Sequence, residues 1–182
     1  VFTEMDKLKN QNLIKQWGVS CKSPDEALDL VKSNNIDLIQ INFNMMDIRA
    51  INSGLMKVAE EKGISIIART PLCFGYLTGK ITKDTVFSNG DHRNNWSTNQ
   101  KNAWVDGANE IMSLLNVKPG YEAVKASLKF CLSFPAVSVV LPGALFKKEV
   151  DEQSDAGDEG PLENNDIKKI LSLHEKLSFF KP

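Results

Sequence analysis

Apolar positions along the chain switch repeatedly between a helical spacing and short continuous runs. Phe2, Met5 and Leu8 recur every third residue with charges between them, the mark of one helix face. That pattern begins at Val1 without a capping residue, which predicts that a segment upstream is missing. Residues 14–19 form the first apolar run. Ser23, Pro24 and Glu26 then start a helix, with Ser23 as N-cap, Pro24 in the first helical position and Glu26 closing a capping box. Ala27, Leu28, Leu30 and Val31 give this helix its apolar face, and Asn34 and Asn35 stop it. A strand over 36–41 follows, then a helix over 48–61 with Ile51, Leu55, Val58 and Ala59 on one side and Gly63 as C-cap. A third strand is expected over 64–68 and a fourth over 137–141. Between and after them, helices are expected near 98–115 (Ser97 and Gln100 forming its capping box), 120–132, 147–155 and 164–176.

Strands alternating with helices at short spacing imply right-handed crossovers and a parallel sheet, so the class is α/β. The strands are apolar almost throughout, as expected where both sheet faces are covered. The acidic stretch 155–159 reads as a surface loop, and residues 1–182 read as one unit with no second domain. Residues 70–96 form a βα connection well above the ~12–15 residues at which loops become functional or disordered. At the C-terminal end of a parallel strand the functional reading is favoured. Four strands are half of an eight-stranded (β/α)8 barrel, and an open four-stranded sheet would expose two apolar edges.

Composition narrows the function. Hydrophobic residues make up 42% and charged residues 25%, enough for a sizeable core. A formal net charge of -1 gives no electrostatic case for a nucleic-acid or membrane partner. No apolar run reaches the ~20 residues of a membrane span, and the N-terminus does not read as a signal peptide, which points to the cytoplasm. Cys21, Cys73 and Cys131 are widely spaced with no C-x-x-C pair, so neither a disulfide framework nor a zinc site is expected. His92 and His174 are too scattered for a metal cluster; His92 reads as an exposed loop residue and His174 as structural or solvated.

The loops after the strands carry more specific chemistry. Trp17-Gly18-Val19-Ser20, then Ile36 through Asn44, then Arg69-Thr70-Pro71-Leu72 running on to Leu77-Thr78-Gly79-Lys80, and finally Val139 through Ala144 fall on successive strand ends. In this order they resemble the aldo-keto reductases over nearly the whole chain, and Asp91-His92-Arg93 with Trp96 and Trp104 resembles a bacterial-type branch. The resemblance implies a parallel TIM-type barrel present as its C-terminal half, about four βα units. It implies an NAD(P)H-dependent oxidoreductase acting on a small carbonyl or alcohol, with NADP as cofactor and NAD as the alternative. The family's catalytic Asp, Tyr, Lys and His belong to the other half, so no catalytic residue is assigned here.

By the same resemblance Ser20 and Gln40 meet the nicotinamide carboxamide; on its own, Gln40 reads first as a strand-end residue bonded to a neighbouring loop. Arg69 either stacks on the nicotinamide or pairs with a carboxylate in the barrel floor. Thr70, Pro71, Leu72, Gly75 and Leu77 would wrap the pyrophosphate, with Lys80 and Arg93 supplying positive charge. Gly143, Glu149, Glu152 and Gln153 would lie near the adenosine 2′-phosphate. There Glu149, Gln153 and Leu145 depart from the family pattern, as Cys21 does beside Ser20; Lys147 and Lys148 would offset the added carboxylate. Tyr76 and Tyr121 sit in the wrong contexts to replace the family's acid. The expected partners are a nicotinamide cofactor and a carbonyl substrate, with the missing N-terminal half or a second copy covering the sheet edges. A non-catalytic cofactor-binding or oligomer-forming half-barrel, or a truncated fragment, is the alternative reading.

Overall fold

Period-two burial picks out the two central strands. The computed structural model describes residues 1–33 and 35–180. In it β1 (Gly18–Ser20), β2 (Leu38–Asn42), β3 (Ser65–Arg69) and β4 (Val137–Leu141) form one parallel sheet in the order β1-β2-β3-β4. Ile39, Ile41, Ile66 and Ala68 point to the helix-covered face and are fully buried. Gln40, Asn42, Ile67 and Arg69 alternate with them and are half-buried. At β1 the sheet comes so close to β2 that a Cβ on Gly18 would run into the Leu38 carbonyl.

Among the described residues eight α-helices accompany the sheet: α1 (Phe2–Asn10), α2 (Pro24–Ser33), α3 (Arg49–Asn52), α4 (Leu55–Lys62), α5 (Thr98–Leu115), α6 (Tyr121–Leu132), α7 (Lys147–Asp158) and α8 (Asn164–Leu173). The Ser23 hydroxyl accepts the Asp25 N–H at the start of α2, and Ser97 accepts the Gln100 N–H at the start of α5. Gly63 closes α4 in the left-handed region at φ 67°. Asn34, expected to stop α2, lies outside the described residues.

Strands β2 and β3 sit one or two residues from their expected bounds, and four larger departures each have a local reason. The run over 14–19 pairs as a strand only from Gly18, because Trp17 serves the packing of α1: its ring stacks on Phe2 at 5.5 Å and its indole N–H donates to Asp6. The helix expected over 48–61 is two helices, broken where Gly54 turns left-handed at φ 81°. The acidic 155–159 stretch is no loop: α7 runs to Asp158, Ala156 is fully buried, and Lys125 and Lys129 of α6 bind Glu159. Helix α8 ends at Leu173, with His174 as its cap and its Nε2 2.9 Å from the Met45 carbonyl.

The expectation that both sheet faces are covered also changes. Helices bury one face, whereas Val139 and Leu141 on the other are 43% and 47% exposed. That face is the one an eight-stranded barrel turns inward on itself.

Candidate functional site

In a parallel sheet the loops leaving the strands gather at one end. Here the loop after β3 holds an unusual backbone: Thr70, Cys73 and Phe74 all have positive φ (54°, 43° and 57°), followed by Gly75 at 95°. A β-branched residue such as Thr70 pays for that conformation only where its surroundings fix it. They do so through β2. Asn44 Nδ2 donates to the Thr70 carbonyl at 2.9 Å, and Thr70 Oγ1 donates to Asn42 Oδ1 at 2.9 Å. Tight 3-10 turns over Cys73–Thr78 and His92–Asn95 complete the loop.

Between this loop and residues 141–153 lies a cleft of about 620 Å³, a volume within the range of small-molecule and cofactor sites. Thr70, Pro71, Leu72, Gly75, Lys80, Arg93, Gly143, Glu149, Glu152 and Gln153 all line it, although the two segments lie far apart in sequence. The remaining sequence-named residues stand elsewhere. Ser20, Gln40 and Arg69 lie on the open face of the sheet next to the cleft, with Ser20 and Gln40 paired across β1 and β2. Leu77 is buried in the core and does not line the cleft.

Gln40 Nε2 donates to Ser20 Oγ at 3.2 Å, an exposed contact that a ligand amide can replace. Arg69 Nη2 donates to the Cys21 carbonyl at 3.2 Å, while its buried Nε has no partner among the described residues. Among the described residues Arg69 makes no ion pair, so no carboxylate of these residues holds it in a barrel floor. A Cβ on Gly75 would come within 3.3 Å of Ile81 and 3.5 Å of Arg93, so the glycine leaves cleft space that a side chain would fill.

The charges in the cleft are less available than their residue types suggest. Asp91 grips Arg93 with both oxygens, and Arg93 Nη1 reaches the Phe74 carbonyl at 3.3 Å. Arg93 therefore braces the loop, and its guanidinium holds the Asp91 carboxyl down at about pKa 2. Lys80 is exposed and makes no ion pair among the described residues. At the far end, Glu149 Oε2 accepts the N–H groups of Leu145 (2.7 Å) and Phe146 (3.3 Å), and Gln153 Nε2 donates to the Gly143 carbonyl. Lys147 and Lys148, expected to offset Glu149, instead pair with Asp151 and Glu152.

Sequence reading missed Gly120 and Val124, which bring the start of α6 into the cleft wall. Pro119-Gly120 was the available signal, a turn before a helix. It also missed a second cavity of about 430 Å³ beside the first, walled by Phe74, Trp96, Trp104 and Phe180 with Asn42, Asn44 and Gln100. Candidate acids are few. Tyr76 is buried, burial pushes its phenol up, and its hydroxyl has no partner among the described residues. Burial likewise raises the free thiols of Cys21, Cys73 and Cys131. His92 is exposed, as expected; His174 is part-buried against Met45 and burial lowers its pKa. Among the described residues no cluster of His, Cys, Asp or Glu could hold a metal ion, and no helix is long and apolar enough to cross a membrane.

A parallel α/β sheet with a cofactor-sized cleft at its strand ends defines a class of folds of which barrel enzymes are one member. The particular family follows from comparison: the sequence model of the Aldo/keto reductase family matches residues 1–175, and this chain belongs to that family. The uncharacterized oxidoreductase YqkF of Bacillus subtilis is 27% identical over 176 residues, covering 97% of this chain and 55% of that protein. The NADH-specific methylglyoxal reductase of Escherichia coli is 29% identical over 82 residues, or 45% of this chain and 25% of that protein. In three dimensions the chain superposes on the glycerol dehydrogenase AKR11B4 of Gluconobacter oxydans with a TM-score of 0.78 at 24% identity, covering 98% of this chain and 54% of that one. The four strands thus align with half of a TIM barrel, and the chain spans about half the length of the relatives it matches over most of its own length.

Proposed function

We propose that this chain is the cofactor-binding, C-terminal half of an aldo-keto reductase barrel that moves hydride between NAD(P)H and a small carbonyl or alcohol. One observation carries the reading: the segments 70–93 and 141–153, distant in sequence, converge on a single cleft at the strand ends. Ser20 and Gln40 offer a hydroxyl and a carboxamide side by side, the donor and acceptor set that fixes a nicotinamide amide. Arg69, one residue before the cleft-lining Thr70, supplies a planar guanidinium surface beside the ring. The strained Thr70–Gly75 backbone and Lys80 face the pyrophosphate, and the 143–153 segment faces the adenosine. When bound, the dinucleotide supplies the hydride; these residues orient it and shield one ring face from water.

The proton is a separate matter. Neither Tyr76, buried with a raised pKa, nor Tyr121, also raised and outside the cleft, is poised to protonate a carbonyl oxygen. The chain on its own is therefore expected to bind cofactor and to turn over no substrate. Three free buried cysteines suit a reducing compartment such as the cytoplasm.

Titration with NADH and NADPH, followed by quenching of the protein's tryptophan fluorescence, tests the reading. Saturable quenching, weakened in Arg69→Ala and Lys80→Ala, is expected; no response to either dinucleotide refutes it. A second reading, a half-barrel that serves as an oligomer-forming module, is favoured by the exposed apolar Val139 and Leu141. Sedimentation at micromolar concentration separates the two: a stable dimer or larger species supports the module, and a monomer that still binds cofactor contradicts it.

A further inference from the structure

The second cavity, of about 430 Å³, shares Thr70 and Phe74 with the cofactor-sized cleft as a common wall. The end of β2, the strained turn after β3, the tight turn over 92–95, the start of α5 and the C-terminal segment at Phe180 build the rest. Its rings hold one another in place. Trp96 meets Trp104 edge-on at 4.8 Å, Phe74 packs on Trp96 at 4.5 Å, and Phe180 meets Trp104 edge-on at 6.0 Å. Gln100 fastens the C-terminal segment, its Nε2 donating to the Phe179 carbonyl at 2.8 Å. Gly107 of α5 makes room for Phe179, since a Cβ there would lie 2.6 Å from the ring. A wall fixed in this way is in place before any ligand arrives.

The polar groups on this wall divide into those already engaged and one that is not. Asn44 uses both ends of its amide, to Met46 and to Thr70. Asp47, the charged side chain among the described lining residues, is held by Arg49 through Nε at 2.8 Å and Nη2 at 2.7 Å. Asn42 uses only its Oδ1, which accepts from Thr70 Oγ1; its Nδ2 has no acceptor among the described residues. A charged ligand would give up its water here and meet no free counter-charge. An uncharged ring instead gains aromatic contact, and an acceptor oxygen on it gains the Asn42 N–H. We infer that this cavity is a binding site for an uncharged ligand with a planar ring and an acceptor oxygen, the ring against the Trp96 and Phe180 wall and the oxygen on Asn42 Nδ2. The inference does not rest on the cofactor reading, because Asn42, Trp96, Trp104 and Phe180 line this cavity and not the cleft.

The test titrates acetophenone, benzoate and benzylammonium into the ¹⁵N-labelled 182-residue chain and follows the indole and amide N–H signals. Saturable shifts at the Trp96 and Trp104 indoles are expected with acetophenone, which should bind about ten-fold or more tighter than either ion. Asn42→Asp keeps an acceptor for the Thr70 hydroxyl and removes the donor, so the loop is retained while acetophenone binds about five-fold more weakly, as for one lost hydrogen bond. Phe180→Ala, at a residue 40% exposed, should weaken acetophenone several-fold with the thermal midpoint little changed. No saturable response, benzoate or benzylammonium binding as tightly as acetophenone, or shifts centred on Lys80 and Gly143 overturns the site. Undiminished affinity in Asn42→Asp overturns Asn42 as the anchor, and undiminished affinity in Phe180→Ala overturns the aromatic wall. NADH added to a parallel sample keeps the two readings apart: shifts with NADH and none with acetophenone remove this cavity alone, and the reverse removes the cofactor reading alone.

Discussion

Asn44 joins the sheet to the cleft, and its truncation should be felt in both. The side chain is 2% exposed and uses both ends of its amide. Its Oδ1 accepts the Met46 N–H at 2.9 Å and its Nδ2 donates to the Thr70 carbonyl at 2.9 Å. In Asn44→Ala the Met46 N–H, in a residue 1% exposed, is left buried without a partner, a cost of about 1–3 kcal/mol. The Thr70 carbonyl keeps the Cys73 N–H as a second donor at 2.9 Å, so its lost bond is worth about 1 kcal/mol. Together these predict a loss of about 2–4 kcal/mol, measurable as a lower midpoint in urea with an unchanged slope. The loss should also be local. Thr70 sits at φ 54° and depends on Asn42 and Asn44 to stay there, so amide hydrogen exchange over 70–78 should accelerate more than that over α5. A variant within about 0.5 kcal/mol of the wild-type chain, or with uniform exchange, would refute the clamp; that margin is the usual scatter of neutral surface changes.

Other consequences follow from the same geometry. Gly63→Ala and Gly79→Ala both demand positive φ, but a Cβ at position 63 meets open space while one at 79 would lie 2.5 Å from the Met112 sulfur; thermal melts should show about 1 kcal/mol for the first and clearly more for the second. Leu77→Ala should cost about 2–5 kcal/mol of stability as a core cavity, while NADH affinity in the folded protein changes little. Carboxyl NMR should place the Asp91 midpoint near 2, moving up toward about 3.9 in Arg93→Gln. The sign follows: the pair's stabilisation is present above the unfolded value and lost as pH falls through the folded one. His174, lowered by burial, should make stability decline as pH drops below about 6.5, its unfolded value, until it is protonated in the folded state too; His174→Gln should flatten that limb in pH-dependent urea melts.

Much of the architecture was legible because it is written locally. Ser23, Ser97 and Gly63 cap their helices through bonds within four residues, so their chemistry is visible in a short window. The break at Gly54 was hidden because the apolar spacing of Ile51, Leu55 and Val58 continues across it. The end of α7 was misread for the opposite reason: the partners of its terminal acid, Lys125 and Lys129, lie some thirty residues away. Trp17 looked like strand and is core for α1. In the cleft, the segments were legible but the state of their charges was not. Whether Arg93 is a free cation, or Glu149 a free anion, depends on Asp91 and on the backbone N–H groups of Leu145 and Phe146, which only the folded chain brings to them.

The central claim is that residues 70–93 and 141–153 form a dinucleotide site, and amide chemical-shift mapping tests it most directly. On adding NADH to the ¹⁵N-labelled 182-residue chain, saturable shifts are expected at Gly75, Lys80, Gly143 and Gln153, with Gln40 and Arg69 joining at the sheet edge. Shifts confined to the second cavity around Trp96 and Trp104, or no shifts at all, would contradict it.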